Sequence, residues 1–363
     1  MTAAPPSVDT PATTRAERAE SEATYIGYAL GALGAVYGLL LAIMSPGESF
    51  ADGPASFALW ASVGAALAAA AAAGVGYARS RADPAQQWRR SLRPWMFAVN
   101  TLSVILVHAV LAFIVVNVLY RLVGLGFVGL PVHFWWSVIL MAVTVGLTGQ
   151  QTYRSVSRMT TQRMSSLVRT FIAFGIITAM VISPEPDWWK VHFSHLGTFH
   201  DLSSLFFNGT LVAGGLLVRT FAVYVAHDMH VLADSGVLTM RSSPRIVSSL
   251  FVVMGVAFAG VGIFSVDLNR VVHDIAALGL AATFLSLLIA GPKWLAGLAR
   301  AYFVSAWVIL GATVSAALLF AFSVITLTEI EIIVFVLIFA WIALFTRFLG
   351  VAGQDLPATT SVG

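Results

Sequence analysis

The chain contains no cysteine, which excludes disulfide cross-links and thiolate metal sites alike. Charge is almost as scarce: 10% of the 363 residues are Asp, Glu, Lys or Arg, against 58% hydrophobic. A soluble domain carries about 25% charged residues, so the composition excludes an ordinary globular protein and points to an integral membrane one. The basic balance, net +3 with a pI near 9.4, does not signal nucleic acid. No aromatic-plus-basic strand or recognition helix accompanies it, and the arginines sit between apolar runs, the pattern of membrane orientation. No HExxH is present and no HxxxH lies on one helix, so the familiar metallohydrolase spacings are missing. Neither half of the chain repeats the other, which weakens a transporter reading based on internal repeats.

Residues 1–22 have no continuous apolar core, so they do not read as a signal peptide. Their Pro, Thr, Ala and Glu content predicts a disordered tail.

What is present is a succession of ten apolar runs, each near the length of about 20 residues that crosses a bilayer. All of the twenty Lys and Arg except Arg121, Lys190 and Arg270 then fall on one side. The positive-inside rule puts both termini in the cytoplasm, and the even number of spans agrees. The expected fold is an all-α polytopic transmembrane helical bundle of about ten helices, four plus six. Its parts are a cytoplasmic tail over 1–22, a four-helix unit over 23–150 and a basic cytoplasmic linker over 151–165. A six-helix unit over 166–350 and a tail over 351–363 complete it. The expected location is a bacterial plasma (inner) membrane.

The first run carries Gly27, Gly31, Gly34 and Gly38, and the second an alanine run, Ala68–Ala73. Small residues at helical spacing let backbones approach closely in lipid, so tight helix packing is expected rather than a cleft. His108, mid-membrane, needs a partner; a bond to a neighbouring helix is favoured over a proton relay. The histidines and acids from His227 to Asp234 read as an exposed cytoplasmic loop.

The richest stretch is DWWKVHFSHLGTFHDLSSLFFNGTLVAGG, Asp187 to Gly215. It concentrates three histidines, two acids, a Trp pair and a lysine before an apolar helix. A second polar group follows at Asp267, Asn269, Arg270, His273 and Asp274, and a third at Glu329 and Glu331. All three groups open on the extracytoplasmic side, as do Glu48 and Asp52, and would converge on one outward basin. Polar groups at such depths are functional candidates. Helix capping accounts for part of the pattern, since Asp201 and Asn269 are good N-cap types. A metal site at His200-Asp201 and His273-Asp274 is the weaker reading, and no cofactor is expected. A head-group site is the third, with Trp189 and its neighbours anchoring the loop at the interface. Asn208, about one and a half turns into the following helix, reads first as a structural hydrogen bond and second as a ligand contact.

The string PDWWKVHFSHLGTFHDLSSLFFNGTLVAGGLL, with VVHDIAALGLAATF further on, resembles a bacterial membrane family known as domain of unknown function 998. That family is distantly similar to the damage-regulated autophagy modulator type of six-helix membrane protein. The resemblance covers about residues 158–347 and leaves the first four spans unmatched. It implies an integral membrane protein without an established reaction, with relatives tied to lipid distribution and remodelling.

The expected function is a non-catalytic, lipid-interacting membrane protein involved in membrane or envelope lipid organisation, with membrane lipids as its partners. Its outward ligand site would be formed by Trp189, His192, His195, His200, Asp201, Asn208, Arg270, His273 and Asp274. A secondary transporter is the alternative, and a metal-dependent lipid hydrolase or transferase the third reading.

Overall fold

The computed structural model of the protein describes residues 11–44, 49–51, 53 and 55–354, with side chains from residue 17 onward. Glu48, Asp52 and residues 1–10 and 355–363 of the two tails lie outside them. Among the described residues all regular structure is helical. The chain divides into two compact units at Arg158 and Met159.

The first unit holds α1 (Pro11–Met44), α2 (Phe57–Arg79), α3 (Pro94–Gly126) and α4 (Phe134–Ser157). Helix α1 begins at Pro11, so residues 11–22, expected as tail, are its first turns. Helix α4 extends to Ser157 and α5 starts at Thr161, so most of the expected linker over 151–165 is helical too. The glycines of α1 meet α4: a Cβ on Gly38 would lie 2.5 Å from the Ser137 carbonyl, and one on Gly34 2.7 Å from that of Met141. Ser137 closes the contact by donating its hydroxyl to the Gly38 carbonyl, 3.1 Å. Ala68, Ala69, Ala72 and Ala73 of the alanine run of α2 are buried, and α2 packs on α3 and α4. His108 donates from Nδ1 to the Val104 carbonyl, 2.8 Å, because a carbonyl only accepts. Its Nε2 faces the Ser155 hydroxyl of α4 at 3.2 Å, the cross-helix bond expected of it.

The second unit comprises α5 (Thr161–Ile182), α6 (Leu202–Asp234), α7 (Ser243–Ile263), α8 (Val266–Ile289), a one-turn α9 (Gly291–Trp294), α10 (Arg300–Ala321) and α11 (Leu327–Gln354). Helix α6 is its axis, with α5 and α7 on either side. At 33 residues it is about 50 Å long, well beyond the roughly 30 Å hydrocarbon layer. His227, Asp228, His230 and Asp234 therefore lie on its last turns, not in a loop. Gly215 and Gly255 bring α6 and α7 together: a Cβ on either would fall within 2.6 Å of the other's carbonyl oxygen. The core beside them is aromatic. Trp341 stacks on Phe251 and Phe345 at 5.9 and 5.4 Å between ring centres, with Phe221 edge-on to Phe251. Helix α10 buries least of itself within the unit.

Nine helices among the described residues are long and apolar enough to cross a membrane. Helix α4, the tenth expected span, is 24 residues long, but its second half carries Gly149, Gln150, Gln151, Thr152 and Arg154, which lower its apolarity. The protein is a multi-pass helical membrane protein.

Candidate functional site

The loop between α5 and α6 is built from short-range bonds. Lys190 pairs with Asp187 at 2.8 Å and lies 5.8 Å over the exposed Trp189 ring. A 3₁₀ turn spans Phe193–Gly197, and Thr198 returns its hydroxyl to the His195 carbonyl, 2.8 Å. Asn208 donates its amide to the Gly197 carbonyl at 2.8 Å. A Cβ on Gly197 would meet the Oδ1 of that amide at 2.5 Å, so a side chain there would push Asn208 out of its bond. The amide of Asn208 thus joins helix to loop. Asp201 caps α6 in a reciprocal capping box with Ser204. Burial alone would raise the Asp201 carboxyl, but hydrogen bonds from the Ser204 amide and the Ser203 and Ser204 hydroxyls outweigh it and hold the pKa below the usual value.

Two further helix starts meet this loop. His200 has a left-handed backbone, φ 55°, and its Nε2 lies 3.1 Å from Asp267 at the head of α8. Asn269 breaks the helical backbone there and its side chain accepts from the Val272 amide, 3.1 Å, so α8 restarts with Asn269 as its cap. One turn on, buried His273 donates from Nδ1 to the Phe264 carbonyl at the end of α7, 2.9 Å. Arg270 and Asp274 face each other at 3.8 Å on the outer side of α8.

The third start is that of α11. Glu329 accepts from the Thr326 amide and hydroxyl, at 2.6 and 2.8 Å, and caps the helix. Glu331, two residues on and so about 200° round the helix, turns inward. Its Oε2 accepts from the Phe193 amide at 2.7 Å. Phe193 itself packs edge-on against Phe207 of α6, 5.5 Å, and against Phe335 of α11, 5.8 Å.

The starts of α6, α8 and α11 therefore share one polar end of the unit. The His192 and His195 rings lie 5.6 Å apart. Partial burial, and then the nearby charges of His195, His273 and Arg270, push the His192 pKa below its ordinary value. His192, His195, Arg270, His273 and Asp274 form this group, and His200 ties its flank through Asp267. Trp189 stands apart at the exposed end of the loop, while Asp201 and Asn208 spend their polar atoms on capping and bracing. Among the described residues no three His, Asp or Glu side chains converge as metal ligands would.

Beside Phe193 and Ser194 a cavity of about 340 Å³ opens between α6, α7, α8, α10 and α11. Phe207, Phe258, Phe335 and Ala281 are among its walls, and every lining side chain except Ser194 and Glu331 is hydrocarbon. The polar groups marked this end in the sequence. The cavity is lined by ordinary apolar residues from five helices and left no such mark. The first unit holds a cavity of different character, about 550 Å³, bordered by Arg18, Glu22, Arg79, Asp83 and Tyr153. Its two bases and two acids offset each other.

Comparison with curated proteins and with solved structures finds no match. The family model described as "Protein of unknown function (DUF998)" matches residues 168–347, which run from within α5 to within α11. With α6, the capped loop and all three converging helix starts inside that match, the six-helix unit of this chain belongs to the DUF998 family.

Proposed function

We propose that this multi-pass membrane protein binds a membrane lipid in its six-helix unit and takes part in the organisation of membrane lipids. The observation that carries the reading is the apolar cavity of about 340 Å³ opening at the polar end. Ligand sites are concave, of about 300–1,000 Å³, mostly apolar, and marked by a few convergent polar groups. A hydrocarbon chain fits the walls of Phe207, Phe258 and Phe335. His192, His195 and Arg270 supply donors for a phosphate at the rim. In this reading the arginine-rich connections are cytoplasmic, the polar end faces the other side, and the membrane is the plasma membrane.

The test is native mass spectrometry of the full chain, gently purified from its membrane. Retention of one lipid per chain is expected, and its loss in Ala281→Trp, which fills the cavity, with thermal unfolding confirming that the variant is folded. A wild type that carries no lipid, or a folded Ala281→Trp that keeps it, sinks the reading. Movement of a solute across liposomes by the purified protein would favour a transporter instead.

A further inference from the structure

Glu331 is the one ionisable side chain among the residues lining the cavity. Its Oε2 is taken by the Phe193 amide, and among the described residues no Lys, Arg or His pairs with it. A carboxylate accepts about four hydrogen bonds, and leaving one unpaired in apolar surroundings is costly. An ionisable residue at such a depth calls for a partner, and the walls around Glu331 offer only carbon and the Ser194 hydroxyl.

The hydrogen-bond donors stand a short step away. Phe193, whose amide holds Glu331, follows His192 directly, and consecutive Cα atoms lie about 3.8 Å apart. His195 flanks His192 at 5.6 Å between rings. A carboxylate and a group of donors therefore sit within the span of one head group, the acid towards the cavity and the donors at the rim.

Resting on the lipid-binding reading above, we propose that the site selects a zwitterionic phospholipid with a primary-amine head group. The ammonium is held by Glu331, the phosphate by the His192, His195 and Arg270 side, and the chain by the cavity. A purely anionic head group would satisfy the rim and leave Glu331 unpaired. A quaternary ammonium would match its charge but offer no N–H to accept.

The experiment offers the full chain, stripped of lipid in detergent, equimolar phosphatidylethanolamine, phosphatidylcholine and phosphatidylglycerol of identical chains. Bound lipid is read by native mass spectrometry. Phosphatidylethanolamine should be preferred by about tenfold, the worth of one charge-assisted hydrogen bond. In Glu331→Gln, which keeps an acceptor for the Phe193 amide, that preference should collapse. Wild-type binding without the preference overturns the assignment and leaves lipid binding standing, as does an unchanged preference in Glu331→Gln. A wild type that takes none of the three removes both. Should Glu331→Gln fail to fold, the wild-type ranking of primary against quaternary amine decides alone.

Discussion

The two units hold their helices together by different means, and the difference explains where each leaves space. Lipid offers helices no hydrophobic drive to associate, so close packing and hydrogen bonds must serve. In the first unit the packing is backbone against backbone. Gly27, Gly31, Gly34 and Gly38 lay α1 directly on α4, the alanines of α2 fill the remainder, and its polar cavity lies between Arg18, Arg79 and Asp83. The second unit uses that device where α6 meets α7, at Gly215, Gly255 and Gly262, and fills its interior with Phe221, Phe251, Phe284, Trp341 and Phe345. Large rings meeting small side chains do not fill space evenly. Where Phe258 and Phe335 face Ala277 and Ala281, a hollow remains. The glycine-closed unit keeps its cavity at the helix ends, by Arg18, Arg79 and Asp83, whereas the aromatic-filled unit keeps one between its helices.

The sharpest break of that contrast is at Gly38. Its missing Cβ would sit 2.5 Å from a backbone carbonyl, and backbone cannot swing aside as a side chain does. Gly38→Leu is expected to abolish stable folding of the first unit. Gly38→Ala should cost about 1–3 kcal/mol, the usual toll of overpacking, read as a lowered unfolding midpoint in detergent. Gly311 of α10 has nothing within 4 Å of its Cβ position, so Gly311→Ala should stabilise by up to about 1 kcal/mol. Equal midpoints for the two alanine variants would refute the close approach of α1 and α4.

A smaller effect is expected at Asp201. Removing the capping box in Asp201→Ala should cost about 1 kcal/mol at neutral pH. The folded carboxyl has a pKa below its ordinary value of 3.8, so the unfolded chain binds the proton more readily. The contribution is then complete above that unfolded value and disappears as pH falls through the folded one. Midpoints of wild type and variant should converge on acidification; a gap that stays constant through pH 3 would argue against a charged cap.

Much of this architecture was legible because the bilayer imposes it. Apolar runs of span length need no tertiary knowledge, and the glycine spacing announced a close contact. The partner of that contact was not legible, since α1 meets α4 across a hundred residues and nothing in either stretch names the other. The tail was misjudged for a similar reason: residues 11–22 are poor in apolar groups, yet they continue a helix that lipid and packing stabilise further on. At the candidate site, residue type showed where polarity gathers but not how it is spent. Asp201 and Asn208 allowed both a ligand role and a structural one in the sequence, and their polar atoms go to cap and brace. Glu329 and Glu331 stood in the sequence as one polar group. Only the turn of α11 separates the acid that caps the helix from the acid that enters the cavity.

The smallest predicted effect concerns the imidazoles, where the two units again part. Both ring nitrogens of His108 in the first unit have partners, Val104 and Ser155. Among the described residues neither nitrogen of His192 has a hydrogen-bond partner, and Asp274, the one neighbour that favours its charge, is outweighed. Burial and the positive charges around it hold its pKa below 6.5. A histidine so depressed contributes fully above its unfolded pKa, and that contribution is lost as pH falls through the folded one. The difference in midpoint between wild type and His192→Gln should therefore shift against the wild type between neutral and mildly acidic pH. An amine-bearing phospholipid whose phosphate reaches the imidazole would raise its pKa and reduce that shift. A pH dependence of the difference that is the same with and without phosphatidylethanolamine would place the head group away from His192.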